Sequence, residues 1–108
     1  MMYLVGYNGC MAYIIQKTDT FDRWLSRLKD VKGKVAIIRR VARARGGNLG
    51  DIKPVGGGVM EMRLSTGPGY RLYFTHKEGV IILLLCGGDK STQSRDIELA
   101  KKLAGEIE

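Results

Sequence analysis

The sequence has few cysteines, one histidine and no long apolar run, and each shortage excludes a class of protein. Two cysteines and one histidine in 108 residues are too few for a closed four-ligand zinc site. A chain of this length buries a core without staples, so two cysteines indicate a reducing compartment. No apolar stretch reaches the roughly 20 residues of a transmembrane helix, and the first ten residues lack a signal peptide's basic start. We therefore expect a cytoplasmic protein without a membrane partner.

Acidic residues are scarce relative to basic ones. Eighteen Lys and Arg against eleven Asp and Glu give a net charge of +7 and a pI near 9.7. Such an excess is typical of proteins that bind nucleic acid, an anionic membrane or an acidic protein. A charge that serves only solubility is the alternative.

The length predicts a single domain. Met11 opens a segment that reads like an ordinary protein start. We therefore interpret residues 1–12 as an N-terminal extension, arising from an upstream start or forming an arm, and place the domain at residues 13–108.

Two helices are predicted to follow a short strand at residues 13–17. Thr18 is the expected cap of the first helix, whose apolar stripe comprises Phe21, Trp24, Leu25 and Leu28. Asp30 is the expected cap of the second helix, which ends at Gly46. Its core face is predicted to comprise Val31, Val35, Ile38 and Ala42. The same helix carries six cations and no acid: Lys32, Lys34, Arg39, Arg40, Arg43 and Arg45.

After Gly50 the apolar period changes from helical spacing to alternation, which predicts strands. The strands are expected at residues 51–55, 59–64, 70–76 and 80–86. Pro54 favours a sheet edge for the first, and the uniformly apolar last strand is typical of one buried on both faces. A final helix begins at Ser91 or Thr92. The predicted fold is α+β: an antiparallel meander sheet with two N-terminal helices packed on it and a C-terminal helix.

A candidate site follows from closing the hairpins. If the loop at residues 65–69 closes symmetrically, Arg63 faces Arg71 across two strands, and facing like charges are unfavourable unless they share an anion. Guanidinium groups suit phosphate because they donate paired hydrogen bonds. Lys53 and Lys90 are expected at the same end of the sheet, and the next hairpin is expected to set Arg71 beside Leu85.

Alternatives remain for these residues. Arg63 and Arg71 are instead surface ion pairs if they contact Glu61 and Asp89. Tyr73 either stacks on a base or is a partly buried strand residue.

The residue types favour one chemistry over others. The sequence has no material for a Ser-His-Asp triad and no clustered acids to hold magnesium. Attack of an RNA 2′-hydroxyl on the adjacent phosphorus remains, with arginines stabilising the charged intermediate. Lys90 or Lys53 is a candidate for proton transfer, because neighbouring cations lower a lysine's pKa. We expect no metal and no cofactor.

Three segments carry a family resemblance: Ile52–Arg63, Gly67–Phe74 and Leu85–Gln93. They resemble the addiction-module killer proteins, the phage Gp49-like, HigB-type branch of the RelE/ParE toxins. The resemblance implies a RelE-like fold and a type II toxin neutralised by a helix-turn-helix antitoxin encoded next door. It also implies metal-independent cleavage of mRNA on the ribosome, which inhibits translation.

The resemblance implies the site residues as well. The expected catalytic residues are Arg63, Arg71 and Lys90, and the expected RNA-binding residues are Lys53, Tyr70, Tyr73, Asp89 and Gln93. No residue after Lys90 matches the catalytic tyrosine of RelE, and no histidine matches the base of other HigB proteins. A toxin that inhibits gyrase and a non-catalytic module that binds RNA or antitoxin are the alternative functions. A homodimer or a toxin–antitoxin heterotetramer is the expected assembly.

Overall fold

A computed structural model describes residues 12–107, which form one five-stranded sheet with helices on both faces. The elements in chain order are β1 (Ile14–Lys17), α1 (Asp19–Arg27), α2 (Val31–Arg45), β2 (Ile52–Gly56), β3 (Val59–Arg63), β4 (Arg71–Lys77), β5 (Ile81–Gly88) and α3 (Gln93–Gly105). This confirms the predicted α+β class and the order of the elements. The predicted N-terminal extension lies outside the described residues, apart from Ala12.

The strands lie in the order β1-β5-β4-β3-β2. β2 to β5 form the predicted antiparallel meander, whereas β1 pairs parallel to β5. The parallel pairing of β1 is possible because the two helices after β1 carry the chain across the sheet before β2 begins. β5 is paired on both edges and covered on both faces, by α1 and α2 on one and by α3 on the other, which explains its uniformly apolar sequence. β2 lies at an edge, where Pro54 is tolerated.

Each face of the sheet supports its own core. On one face, residues of β3, β4 and β5 pack against α1 and α2 through Phe21, Ile37 and Ala44. On the other face, Val59, Tyr73 and Leu85 are among the residues that pack beneath α3. This confirms the predicted alternation of strand residues between two faces. None of the helices in the described part of the chain is long and apolar enough to cross a membrane.

Both predicted helix caps are formed. The Thr18 hydroxyl accepts a hydrogen bond from the Phe21 amide at 3.0 Å, and the Asp30 carboxylate accepts one from the Gly33 amide at 3.1 Å. Each cap satisfies an amide that the helix leaves without an internal partner. α1 and α2 therefore begin where the sequence indicated.

The predicted core face of α2 is wrong. Val31, Val35 and Ile38 are 73%, 41% and 52% exposed, while the buried residues of the helix are Gly33, Ile37, Arg40 and Ala44. The reason is close packing: a Cβ atom on Gly33 would lie only 2.5 Å from the Tyr70 ring. Gly33 allows this approach to the sheet, so the face that contains Gly33 and Ile37 packs inward and the face with Val31, Val35 and Ile38 lies outward.

Replacing Gly33 with alanine tests this packing. Alanine normally stabilises a helix interior by up to about 1 kcal/mol relative to glycine, but here the new Cβ would clash with Tyr70 and Asp30. We expect Gly33→Ala to lower the free energy of unfolding by about 1–3 kcal/mol, as measured by urea denaturation. The control is Gly105→Ala, since no side chain or distant backbone atom in residues 12–107, apart from its chain neighbours, lies within 4 Å of that Cβ position. A stabilised Gly33→Ala protein would contradict the close approach.

Candidate nucleic-acid site

Arg63 and Arg71 are direct neighbours across β3 and β4. The hairpin between them closes through a hydrogen bond from the Leu64 amide to the Tyr70 carbonyl at 2.9 Å. Arg63 lies two residues after Glu61, and Arg71 lies two residues before Tyr73. Glu61 and Tyr73 both face α3, so the side chains of Arg63 and Arg71 lie on the same face of the sheet by strand alternation. The register predicted from the sequence is therefore confirmed.

Arg71 lies opposite Gly88 rather than Leu85, so the predicted partner is wrong. The turn between β4 and β5 sets Lys77 opposite Ile81, two positions further along β5 than the predicted register, and a bulge after Tyr73 inserts one extra residue of β5. Together the two differences bring Arg71 to the loop that begins α3. A Cβ atom on Gly69 would lie 3.6 Å from Cβ of Lys90 and 3.9 Å from Nη1 of Arg71. The two cations thus flank this glycine.

Arg71 is largely buried and pairs with Glu61. Its side chain is 12% exposed, and its Nε lies 3.7 Å from Oε2 of the fully buried Glu61. The same carboxylate oxygen accepts hydrogen bonds from the Tyr73 hydroxyl at 3.1 Å and from the Gln93 amide at 2.7 Å. Among residues 12–107, the other oxygen, Oε1, has no hydrogen-bond partner, and neither does Nε of Arg71. Glu61 therefore holds Arg71 by charge and orients it from the Nε side.

Arg63 is more exposed and pairs with Asp51, an acid that the sequence did not single out. Its Nε donates to the Asp51 carboxylate at 3.2 Å, with side-chain exposures of 38% and 60%. Both arginines thus form ion pairs, as the alternative interpretation predicted, and one partner is Glu61. The other partner is Asp51 rather than Asp89. An exposed pair of this sort contributes only about 0–1 kcal/mol, so Arg63 exchanges partners easily.

Arg40 supports Arg63 from the opposite face of the sheet, and sequence reasoning missed it. Its guanidinium donates to the Arg63 carbonyl at 2.6 Å and to the carbonyls of Leu49 and Asp51 at 3.2 and 3.1 Å. Burial, and to a smaller extent the charge of Arg43, lowers the pKa of Arg40. The available signal was its spacing of three residues from Ile37, on the inward face of α2.

Lys53 and Lys90 lie where the sequence placed them. Lys53 lies opposite Glu61 in the register of β2 and β3, and its side chain is exposed. Lys90 is exposed and begins a short 3-10 turn that leads into α3. Lys53, Arg63, Arg71 and Lys90 therefore lie at one end of the sheet.

The two tyrosines are not available for stacking on a base, which corrects the sequence-based assignment. Tyr73 is fully buried beneath α3, and burial, together with Glu61, raises the pKa of its hydroxyl well above the usual range. Tyr70 is 4% exposed, packs edge-on against Trp24 and donates to Asp30 at 2.8 Å. Burial first, and then Asp30, raise the pKa of Tyr70 to about 12. Strand alternation predicted correctly on which face of the sheet each tyrosine lies. It did not predict that the helices cover both, α3 over Tyr73 and α1 and α2 over Tyr70.

Asp89 and Gln93 have structural partners within the protein. The Asp89 carboxylate accepts from the amide and hydroxyl of Ser91 at 2.8 and 2.6 Å, and these bonds lower its pKa. The Gln93 amide is committed to Glu61. Both residues therefore position the loop that carries Lys90. Within residues 12–107, no group of three or more His, Cys, Asp or Glu side chains is arranged to hold a metal ion.

The fold is shared with RelE toxins. A mutant of the Escherichia coli toxin RelE in the free state is 17% identical and superposes with a TM-score of 0.67, covering 85% of this chain and 98% of that one. The RelBE2 toxin–antitoxin complex from Mycobacterium tuberculosis contains a chain that is 21% identical with a TM-score of 0.61, covering 75% of this chain and 94% of that one. The class is therefore a RelE-like domain.

Sequence comparison identifies the branch. The model of the family described as phage-derived protein Gp49-like (DUF891) matches residues 23–104, and the chain belongs to this family. An uncharacterized protein of Haemophilus influenzae is 50% identical over 97 residues, which cover 90% of this chain and 98% of that protein. The resemblance found in the sequence motifs is confirmed.

The unequal burial of the two arginines predicts unequal effects on stability. Arg71→Ala leaves the buried Glu61 carboxylate without its cation, which typically costs about 3–5 kcal/mol. Arg63→Ala removes an exposed pair and is expected to cost about 1 kcal/mol or less. Urea denaturation of both variants measures the difference. Equal losses would contradict the burial of the Glu61–Arg71 pair.

Proposed function

We propose that this protein is the toxin of a type II toxin–antitoxin system and that it cleaves mRNA at the Arg63–Arg71 site. The observation that carries the proposal is the direct cross-strand pairing of the two arginines, with Lys90 adjacent to Arg71 across Gly69. The pairing places like charges side by side, and a phosphate that bridges them can accept hydrogen bonds from both guanidinium groups. Membership of the Gp49-like family and the RelE fold support the same function.

The reaction that suits this site uses the RNA itself as the nucleophile. The 2′-hydroxyl gives up its proton to solvent water as its oxygen attacks the adjacent phosphorus, a new O2′–P bond forms, and the P–O5′ bond breaks. The leaving 5′-oxygen takes up a proton, so the products are a 2′,3′-cyclic phosphate and a 5′-hydroxyl. Negative charge develops on the non-bridging oxygens of the intermediate, where positioned cationic donors stabilise it.

The two arginines are suited to different parts of this task. Arg71 is fixed by its contact with Glu61, so it offers a preorganised donor and loses little freedom when a phosphate binds. Arg63 is held only by an exposed pair with Asp51, which a phosphate displaces at low cost. Arg63 thus captures the RNA backbone, and Arg71 stabilises the transition state.

Exposed lysines at the same end of the sheet supply the remaining functions. Lys90 is placed to donate a proton to the 5′-oxygen or to hold a neighbouring phosphate. Lys53 extends the cationic surface toward β2. The buried tyrosines are excluded from proton transfer because neither hydroxyl reaches the solvent-exposed side of the site.

The proposed toxic activity implies a protein partner that neutralises it. A chain that cleaves mRNA has to be neutralised in the cell that makes it, and RelBE2 is described as a toxin–antitoxin complex. We propose a helix-turn-helix antitoxin encoded next to this protein as that partner.

The cleavage experiment uses the purified protein with translating ribosomes and maps the new mRNA ends. We expect Arg71→Lys, which keeps the charge opposite Glu61 but loses the planar donor pair, to reduce the cleavage rate by about 10²–10³-fold. Arg63→Ala is expected to weaken cleavage mainly by raising the half-saturating RNA concentration. Arg23→Ala is the matched control, since that arginine is exposed on α1, which packs on the opposite face of the sheet.

The outcomes separate the candidate functions. Cleavage that depends on Arg71 supports the proposal. Intact mRNA combined with blocked supercoiling by DNA gyrase would replace it with gyrase inhibition, and RNA binding without new ends would replace it with a non-catalytic module.

A further inference from the structure

The outward face of α2 carries an exposed apolar stripe. Its members, which we call the α2 outer stripe, are Val31, Val35, Ile38 and Ala42, and all four are exposed. They follow one another at intervals of four, three and four residues, the spacing of a seam that packs against another helix. The stripe lies opposite the buried face of α2, where Ile37 and Ala44 contact the sheet. α2 therefore has two apolar faces, and its own domain covers one.

The charged residues that α2 places beside the stripe are all cations. Lys32, Arg39 and Arg43 follow one side of it and are exposed, and Lys34 lies on the other side. α2 contains no acidic residue between Val31 and Arg45. On the helix itself these like charges repel slightly, and an acidic partner reverses the sign of that interaction.

The apolar surface continues into a groove beside α2. Ile38 and Ala42 form one wall of a groove of about 230 Å³ between α2, α1 and β1. Ile15 and Leu25 contribute to the other side, and the rim carries Lys17 and Arg45. An aliphatic floor with a cationic rim is thus repeated next to the stripe, which widens the surface available to a partner.

We propose that the α2 outer stripe is the docking surface for an amphipathic helix with acidic flanks, supplied by the antitoxin. The apolar seam of that helix packs on Val35 and Ile38, and its flanking carboxylates face Lys32 and Arg39. The identity of the partner rests on the function proposed above, whereas the chemistry of the docked helix is read from α2 alone.

Three other occupants fit less well. A second copy of this chain would set cations against cations. RNA would cover the aliphatic stripe without a stacking partner, because the stripe has no aromatic side chain. An anionic membrane favours large apolar residues such as Trp, Phe and Leu, and the stripe has none of these.

The stripe and the arginine site lie on opposite faces of the sheet, so each can be altered separately. α2 packs on the face opposite α3, whereas the side chains of Arg63 and Arg71 lie on the α3 face. Variants of the stripe are therefore expected to leave RNA cleavage by the free protein unchanged. This separation distinguishes a failure of the docking surface from a failure of the proposed function.

The experiment measures binding of the helix-turn-helix protein encoded by the adjacent gene to the full-length chain, by titration calorimetry. The double variant Val35→Glu/Ile38→Glu is expected to weaken binding by about 100-fold or more, because two buried aliphatic contacts are lost and two charges face the acidic helix. Lys32→Glu/Arg39→Glu is expected to weaken it about tenfold, with a weaker dependence on salt. Val80→Glu is the control, since Val80 is an exposed aliphatic residue outside α2.

Circular dichroism verifies that each variant is folded, and ribosome cleavage is measured on the same preparations. Loss of binding in the α2 variants, with cleavage intact and Val80→Glu unaffected, supports the proposal. Binding of the α2 variants within threefold of the unmodified protein overturns it. So does the absence of any complex with the unmodified protein, or a stripe that proves to bind RNA or anionic vesicles instead. The cleavage result decides the proposed function independently in each case.

Discussion

The buried carboxylate of Glu61 is the interaction on which the α3 side of the molecule depends. A fully buried carboxylate is tolerated only when charge and hydrogen bonds compensate its lost hydration, and here the three partners come from two elements of the fold. Tyr73 belongs to β4, Gln93 opens α3, and Arg71 lies at the start of β4. The network therefore ties α3 to the sheet and orients the arginine that is proposed to act on RNA.

A second buried charge performs the corresponding task on the other face. The guanidinium of Arg40 gathers the carbonyls of Leu49, Asp51 and Arg63, so α2, the segment before β2 and the end of β3 are held together. The two contacts leave the paired arginines with different exposures. Arg71 is largely buried and its side chain contacts the buried Glu61 carboxylate, whereas Arg63 has a backbone carbonyl bound by Arg40 and an exposed side chain.

The order of the elements, both helix caps, the two faces of the strands and the pairing of Arg63 with Arg71 were predictable, because each depends on residues close together in sequence. The inward face of α2 was not. Periodicity identifies an apolar stripe by side-chain size and type, and α2 has two. The choice between them is made by contact distance, since Gly33 permits an approach to Tyr70 that a larger residue blocks. The stripe left outside is the one on which the docking proposal rests.

By itself, the sequence determined the class of fold, the family and the end of the sheet where the cations gather, because periodicity, turn residues and local motifs are read along the chain. Only the tertiary structure decided which of those cations are accessible. The register of β4 with β5, including the bulge after Tyr73, places Arg71 beside the Lys90 loop, and α3 covers Tyr73 and Glu61. Burial and ion pairing are set by residues distant in sequence. The register of the strands and the packing of α3 were therefore needed to tell which of the two paired arginines is buried and which is exposed.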